Sequence, residues 1–217
     1  MELKNLKINF LGDSITEGHG VALEENRFVN RVAAMTGAIT RNYGVGGTRI
    51  ARQTNPSAND VWDRDFIARA EKMDDDADIV VVFGGTNDFG HGDAKLGTMA
   101  DRDIFTFYGA AHTLITNLIA KYPEAQIVFM TPLHRLSEDV TVNEIGLPLE
   151  TNLEGYVNII KEVARYYSIP VLDLHAVSGM QPKVDVIKDR YMPDGLHPND
   201  AGHKLLADKI VGFLRSL

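Results

Sequence analysis

The sequence predicts an α/β fold, a three-layer α/β/α arrangement around a parallel sheet of about five strands. Short segments with strand character alternate with longer segments of helical spacing, which favours βαβ units and helices on both faces of the sheet. The clearest strand, Ile79 to Phe83, reads Ile-Val-Val-Val-Phe. An unbroken β-branched run suits a strand covered on both faces, and such strands belong to parallel sheets.

The N-terminal half contains three predicted strands and two predicted helices. Leu6 to Leu11 alternates apolar and polar residues before a glycine, so it is the first strand. Phe28 to Met35 has helical spacing and stops near a glycine, and Ala38 to Tyr43 is a short second strand. Val61 to Met73 has its apolar residues at helical spacing and precedes the strand Ile79 to Phe83.

The C-terminal half continues the alternation. Phe105 to Tyr122 is predicted as a long helix, followed by the strand Ile127 to Met130 and a breaking proline. Leu153 to Tyr167 is predicted as a helix and Val171 to Leu174 as the last strand. A final helix is expected from Asn199 to Leu214.

Composition narrows the class of protein. The 217 residues suit a single domain over 1–217, with 44% hydrophobic and 24% charged residues as in ordinary globular proteins. The absence of cysteine excludes disulfides, thiolate metal sites and a cysteine nucleophile. A net charge of -8 without a basic run argues against nucleic acid or an anionic membrane as partner. No signal peptide or membrane span is visible, so a cytoplasmic location is expected; the sequence does not indicate an oligomeric state.

Functional residues are expected directly after strands, because ligands of such sheets lie beyond the strands' carboxyl ends. Three unusual segments occupy those places: Gly12 to Ser14, Gly44 to Gly47, and Gly84 to Asn87. Two connections, Asp88 to Asp103 and Leu133 to Glu150, are longer than usual. They are expected to shape a pocket or lid, with surface decoration an equally open alternative.

Ser14 is the candidate nucleophile, and His197 is its candidate base. A serine hydroxyl needs an adjacent base to attack a carbonyl. Asp194 precedes His197 by three residues, close enough to bond one imidazole nitrogen and leave the other for the serine. Taken separately, Gly12-Asp13-Ser14 also fits a simple turn, and Asp194 and His197 also fit a capping loop.

Asn87 and the Gly44 to Gly47 cluster are candidate oxyanion donors. A side-chain amide and backbone N–H groups can stabilise the negative charge of a tetrahedral intermediate. Tight turns are the alternative for both segments. A phosphate-binding loop is not indicated, because neither GxGxxG nor GxxxxGK[ST] occurs.

Together these segments resemble the four motifs of the SGNH, or GDSL-like, hydrolase superfamily. They read Gly-Asp-Ser-Ile-Thr from Gly12, Asn-Tyr-Gly-Val-Gly-Gly from Asn42, Gly-Thr-Asn-Asp from Gly85, and Asp-Gly-Leu-His-Pro from Asp194. They occur in the family's order.

The resemblance implies a flavodoxin-like fold and cleavage of a small-molecule ester without metal or cofactor. It assigns Ser14, His197 and Asp194 to a triad, and the Ser14 and Gly47 N–H groups with Asn87 to the oxyanion hole. The polar loops favour a small or polar substrate such as an acetylated carbohydrate. Longer acyl chains, as in lipases and thioesterases, and a catalytically silent ligand-binding protein are the alternatives.

The remaining histidines have weaker indications. His134 follows the fourth strand and is a candidate for contacting substrate, and His91 in the long connection is a weaker one. A metal site is not expected, because no histidine pair has HxxxH or HxH spacing.

Overall fold

The computed structural model describes all residues from 1 to 217 and contains one sheet of five parallel strands. The strands lie in the order β2-β1-β3-β4-β5. Their bounds are Lys7–Gly12 for β1, Ile39–Gly44 for β2, Ile79–Phe83 for β3, Gln126–Met130 for β4 and Val171–Leu172 for β5. Each predicted strand is therefore present, and the predicted α/β/α class is confirmed.

Nine helices connect the strands. Their bounds are Ser14–Glu17 for α1, Phe28–Thr36 for α2, Phe66–Ala70 for α3, Thr86–His91 for α4, Phe107–Lys121 for α5, Leu153–Tyr166 for α6, Leu174–Val177 for α7, Asp185–Tyr191 for α8 and Asp200–Ser216 for α9. Single 3-10 turns lie at Glu24–Asn26 and Asp60–Asp63. None of these helices combines the length and apolar character needed to cross a bilayer.

The predicted helix from Val61 to Met73 is wrong as a continuous element. It consists of the 3-10 turn and the separate helix α3. The Asp65 carboxylate accepts a hydrogen bond from the Ala68 N–H, so it caps a new helix and breaks the earlier one. Asp173 has the same effect after β5. Its side chain caps α7, so the strand ends at Leu172, two residues earlier than predicted.

The core lies on both faces of the sheet. Alternate strand residues, such as Val80 and Val82, pack with α3, α5 and α6 on one face. Their neighbours Val81 and Phe83 pack with α2 and α9 on the other. This burial on two sides explains why β3 has no polar residue.

The order of the strands creates a crevice between β1 and β3. In the sheet, β2 lies on one side of β1 and β3 lies on the other. The connections that follow β1 and β3 therefore run in opposite directions from this point. Such switch points are where α/β folds bind ligands. Ser14 directly follows β1 and Asn87 follows β3, so both lie at this crevice.

Candidate active site

Ser14 is the first residue of α1 and is held there by its neighbour. Asp13 is buried, and its carboxylate accepts a hydrogen bond from the Ile15 N–H at 3.0 Å. This cap fixes the turn between β1 and α1. The Ser14 side chain remains partly accessible at the carboxyl edge of the sheet.

A chain of hydrogen bonds connects Asp194, His197 and Ser14. The Asp194 Oδ2 lies 2.7 Å from His197 Nδ1, and His197 Nε2 lies 3.0 Å from Ser14 Oγ. A carboxylate only accepts, so Nδ1 carries the proton and Nε2 accepts from the serine hydroxyl. The other Asp194 oxygen accepts the backbone N–H groups of Leu196 and His197, which fixes the carboxylate.

Burial lowers the pKa of His197 despite the nearby carboxylate. The largest cause is desolvation; Asp194 opposes it, and the neighbouring His19 and Arg135 side chains add to the lowering. The His19 ring packs against the His197 ring at a centroid distance of 4.2 Å. His197 is therefore uncharged at neutral pH and can take a proton from Ser14.

Three candidate N–H donors lie on the turns that follow β1, β2 and β3. The backbone N–H groups of Ser14 and Gly47 donate to no group of the protein. The Asn87 amide donates one hydrogen to the Thr48 carbonyl at 3.0 Å, which leaves its second hydrogen free. Unpaired donors in a partly buried site are suited to binding a developing negative charge.

Two features fix the Gly47 turn. Gly47 has a φ of 74°, and a Cβ there would lie 2.1 Å from Trp62 Cδ1, so both backbone and space require glycine. Downstream, the buried Asp88 carboxylate accepts the N–H groups of Ile50 at 3.0 Å and Ala51 at 2.8 Å. The Asn87-Asp88 pair thus ties the turn after β2 to the turn after β3.

Arg69 joins the ends of two strands beneath the site. Its guanidinium donates to the Gly12 carbonyl at 2.8 Å, the Thr48 hydroxyl at 2.7 Å and the Tyr43 carbonyl. Desolvation lowers the pKa of Arg69 to about 10 and raises the pKa of the buried Asp13 to about 7. Motif spacing gave no sign of Arg69, because it reaches the site from α3.

A model of the GDSL-like Lipase/Acylhydrolase family matches residues 10–205, which is most of the chain. This chain belongs to that family. Membership confirms the resemblance drawn from the four motifs and the prediction of an ester-bond hydrolase.

Other proteins resemble this GDSL-like family member over nearly its whole length. A curated relative, an acetylxylan esterase of Xylanibacter ruminicola, is 21% identical over 97% of this chain, which spans 43% of that protein. A crystal structure from Lactobacillus plantarum has 31% identity, a TM-score of 0.83 and coverage of 98% of both chains. The structure of an acetyl xylan esterase has 24% identity, a TM-score of 0.62, and coverage of 96% of this chain and all of its own.

His134 lies in a separate cluster of this GDSL-like hydrolase. Its Nδ1 is 2.7 Å from Glu138 Oε2, and its ring packs against the tilted ring of His175 with the centroids 3.7 Å apart. Potential metal ligands of these three residues lie within 4.8 Å of one another, although Lys183 already pairs with Glu138 at 2.9 Å. Since His134 hydrogen-bonds none of the triad residues, substrate contact by His134 stays a prediction.

Proposed function

We propose that this hydrolase is a serine esterase that removes short acyl groups from polar alcohols, above all from acetylated carbohydrate. One observation carries the proposal: hydrogen bonds of 2.7 and 3.0 Å connect Asp194, His197 and Ser14 in one chain. The unpaired N–H groups of Ser14, Gly47 and Asn87, on the turns after the three neighbouring strands, support it. The names of two relatives, both acetylxylan esterases, support the carbohydrate part.

In the first half-reaction, the ester carbonyl carbon lies against Ser14 Oγ. His197 Nε2 takes the hydroxyl proton as Oγ attacks, and Asp194 stabilises the resulting imidazolium. The carbonyl oxygen becomes negative and is bound by the Ser14 and Gly47 N–H groups and the Asn87 amide. His197 then gives the proton to the departing alcohol, which leaves an acyl group on Ser14.

In the second half-reaction, water takes the place of the alcohol. His197 accepts a proton from the water as its oxygen attacks the acyl carbon, and the same three donors bind the oxyanion. Ser14 leaves as the C–Oγ bond breaks and recovers its proton from His197. The products are the free acid and the unchanged enzyme.

The alcohol side of the site is open to solvent, which suits a large polar leaving group. The alcohol must lie against His197 Nε2, because that nitrogen protonates it. Beside it, the Asp194 side chain is 50% exposed and His19 is also exposed. A sugar chain can therefore extend past His197 without burial of its hydroxyl groups.

The test compares wild type with Ser14→Ala on nitrophenyl acetate. Removing a triad nucleophile costs about 10⁶-fold in a studied serine protease, so activity should fall to background. Ser216→Ala is the matched control, because this exposed serine near the C-terminus only bonds its own helix. Retention of most of the rate by Ser14→Ala would refute the proposal.

The substrate class is tested by a second panel. Acetate release from acetylated xylo-oligosaccharides is compared with hydrolysis of nitrophenyl esters of increasing acyl length. The proposal expects release from the oligosaccharides and a rate that falls with long acyl chains. A rate that rises toward long chains would favour the lipase or thioesterase alternative.

A further inference from the structure

A cavity of about 280 Å³ lies next to the turn that carries Gly47, because Trp62 borders both. Its walls include Arg49, Trp62 and His91, with Ile145 and Leu147 from the long connection after β4. Trp62 contacts Gly47, as the absence of room for a Cβ shows, and its ring lies 4.7 Å from that of His91. The Trp62 ring therefore separates the cavity from the turn that carries Gly47.

Arg49 determines which nitrogen of His91 carries the proton. The guanidinium is buried, and its Nη1 donates to His91 Nδ1 at 3.2 Å and to the His91 carbonyl at 2.8 Å. Asp63 holds its Nη2 at 2.9 Å. Arginine has no acceptor, so Nδ1 must accept and the neutral imidazole must carry its hydrogen on Nε2.

The His91 Nε2–H is a donor without a partner. It makes no hydrogen bond to the protein, although the residue is buried and lines the cavity. Burial and the Arg49 charge lower the pKa of His91 to about 4, so the ring stays neutral at physiological pH. The nitrogen is not fully enclosed by protein, so it can donate in the cavity to water or to an acceptor on a bound molecule.

The acyl chain is the substituent of the reacting carbon that this cavity can receive. In the tetrahedral intermediate, one substituent points to Ser14, the oxyanion points to the N–H donors, and the alcohol points to His197. His197 bonds or packs with Ser14, Asp194 and His19, none of which lines the cavity. The remaining substituent, the acyl chain, is the one free to enter it.

We propose that this cavity is the acyl subsite and that the His91 Nε2–H selects acyl groups bearing an oxygen acceptor, such as a hydroxyl or keto group. The inference rests on the proposed function, because it takes Ser14 as the nucleophile. Pockets for whole ligands usually occupy about 300–1,000 Å³. At about 280 Å³ this one has room only for a short acyl group.

The test uses two esters that differ only by hydroxyl against methyl, nitrophenyl 3-hydroxybutyrate and nitrophenyl 3-methylbutyrate. The quantity measured is the ratio of their kcat/KM values. One hydrogen bond contributes about 1–1.5 kcal/mol, so the ratio should fall about tenfold from wild type to His91→Phe. His91→Gln keeps an amide donor and should retain part of the preference. His112→Phe, a buried histidine on α5, is the matched control and should keep the wild-type ratio.

An equal ratio in wild type and His91→Phe overturns the inference, as does a His91→Gln ratio equal to that of His91→Phe. If the His91 variants do not fold, the wild-type enzyme alone provides a test. The free acid 3-hydroxybutyrate should inhibit it about tenfold more strongly than 3-methylbutyrate. Equal inhibition also overturns it. Failure of the proposed function is distinguishable, because then no ester, acetate included, is cleaved in a Ser14-dependent way.

Discussion

The Asn87 side chain has two tasks, and Asn87→Ala should reveal both. One amide hydrogen has no partner in the protein and is the proposed oxyanion donor, and the other is bonded to the Thr48 carbonyl. Loss of one oxyanion donor costs about 10²–10³-fold in kcat. Loss of the second bond leaves the carbonyl of the fully buried Thr48 without that partner, which costs about 1–3 kcal/mol of unfolding free energy.

The assay therefore measures two quantities on the same variant. The kcat for nitrophenyl acetate should fall by about 10²–10³-fold. The melting temperature should fall by about 2–4 °C for each kcal/mol lost in a protein of this size. Wild-type kcat in Asn87→Ala would refute the role of Asn87 as an oxyanion donor. An unchanged melting temperature with reduced kcat would refute only the structural role of the Thr48 bond.

Two other substitutions test the turns that position the site residues. Gly47→Ala should reduce activity by at least tenfold and lower the melting temperature. The reason is that alanine is strained at a φ of 74° and that its Cβ would collide with Trp62. Wild-type activity and a wild-type melting temperature in this variant would contradict the explanation. Asp13→Asn should stabilise the protein at pH 8 by a few kcal/mol at most and hardly at all at pH 4. Because the folded pKa of Asp13 is raised to about 7, the native state binds this proton more tightly than the unfolded state, and stability is lost as pH rises toward 7. Urea unfolding at both pH values checks the difference, and an equal effect at the two would contradict it.

The sheet and the four motifs could be predicted because they depend on local sequence. A strand such as β3 is buried on both faces, so its residues are uniformly apolar and easy to recognise. The site motifs each follow a strand directly. Helix bounds were less predictable, since a single capping side chain, Asp65, divided a segment whose apolar spacing was continuous.

The cavity beside Trp62 could not be predicted, because its parts are distant in the sequence. Arg49 follows β2, Trp62 lies in a 3-10 turn, and His91 ends α4, so only the folded chain brings them together. One signal was available: Asn87 and His91 are four residues apart, which places them on one face if the segment is helical. The glycines at 90 and 92 instead suggested a loop.

The two buried aspartates of the site have raised pKa values for the same reason but differ in how replaceable they are. Desolvation raises the pKa of Asp13 to about 7 and that of Asp88 to about 6. Asp13 accepts one backbone N–H, a task that an asparagine oxygen also performs. Asp88 accepts two N–H groups on different oxygens, from Ile50 and Ala51. An asparagine there would turn its own NH₂ toward a second donor, so only a carboxylate satisfies both. The charge at Asp88 is therefore required by the turn that presents Gly47, whereas the charge at Asp13 is not required by its cap.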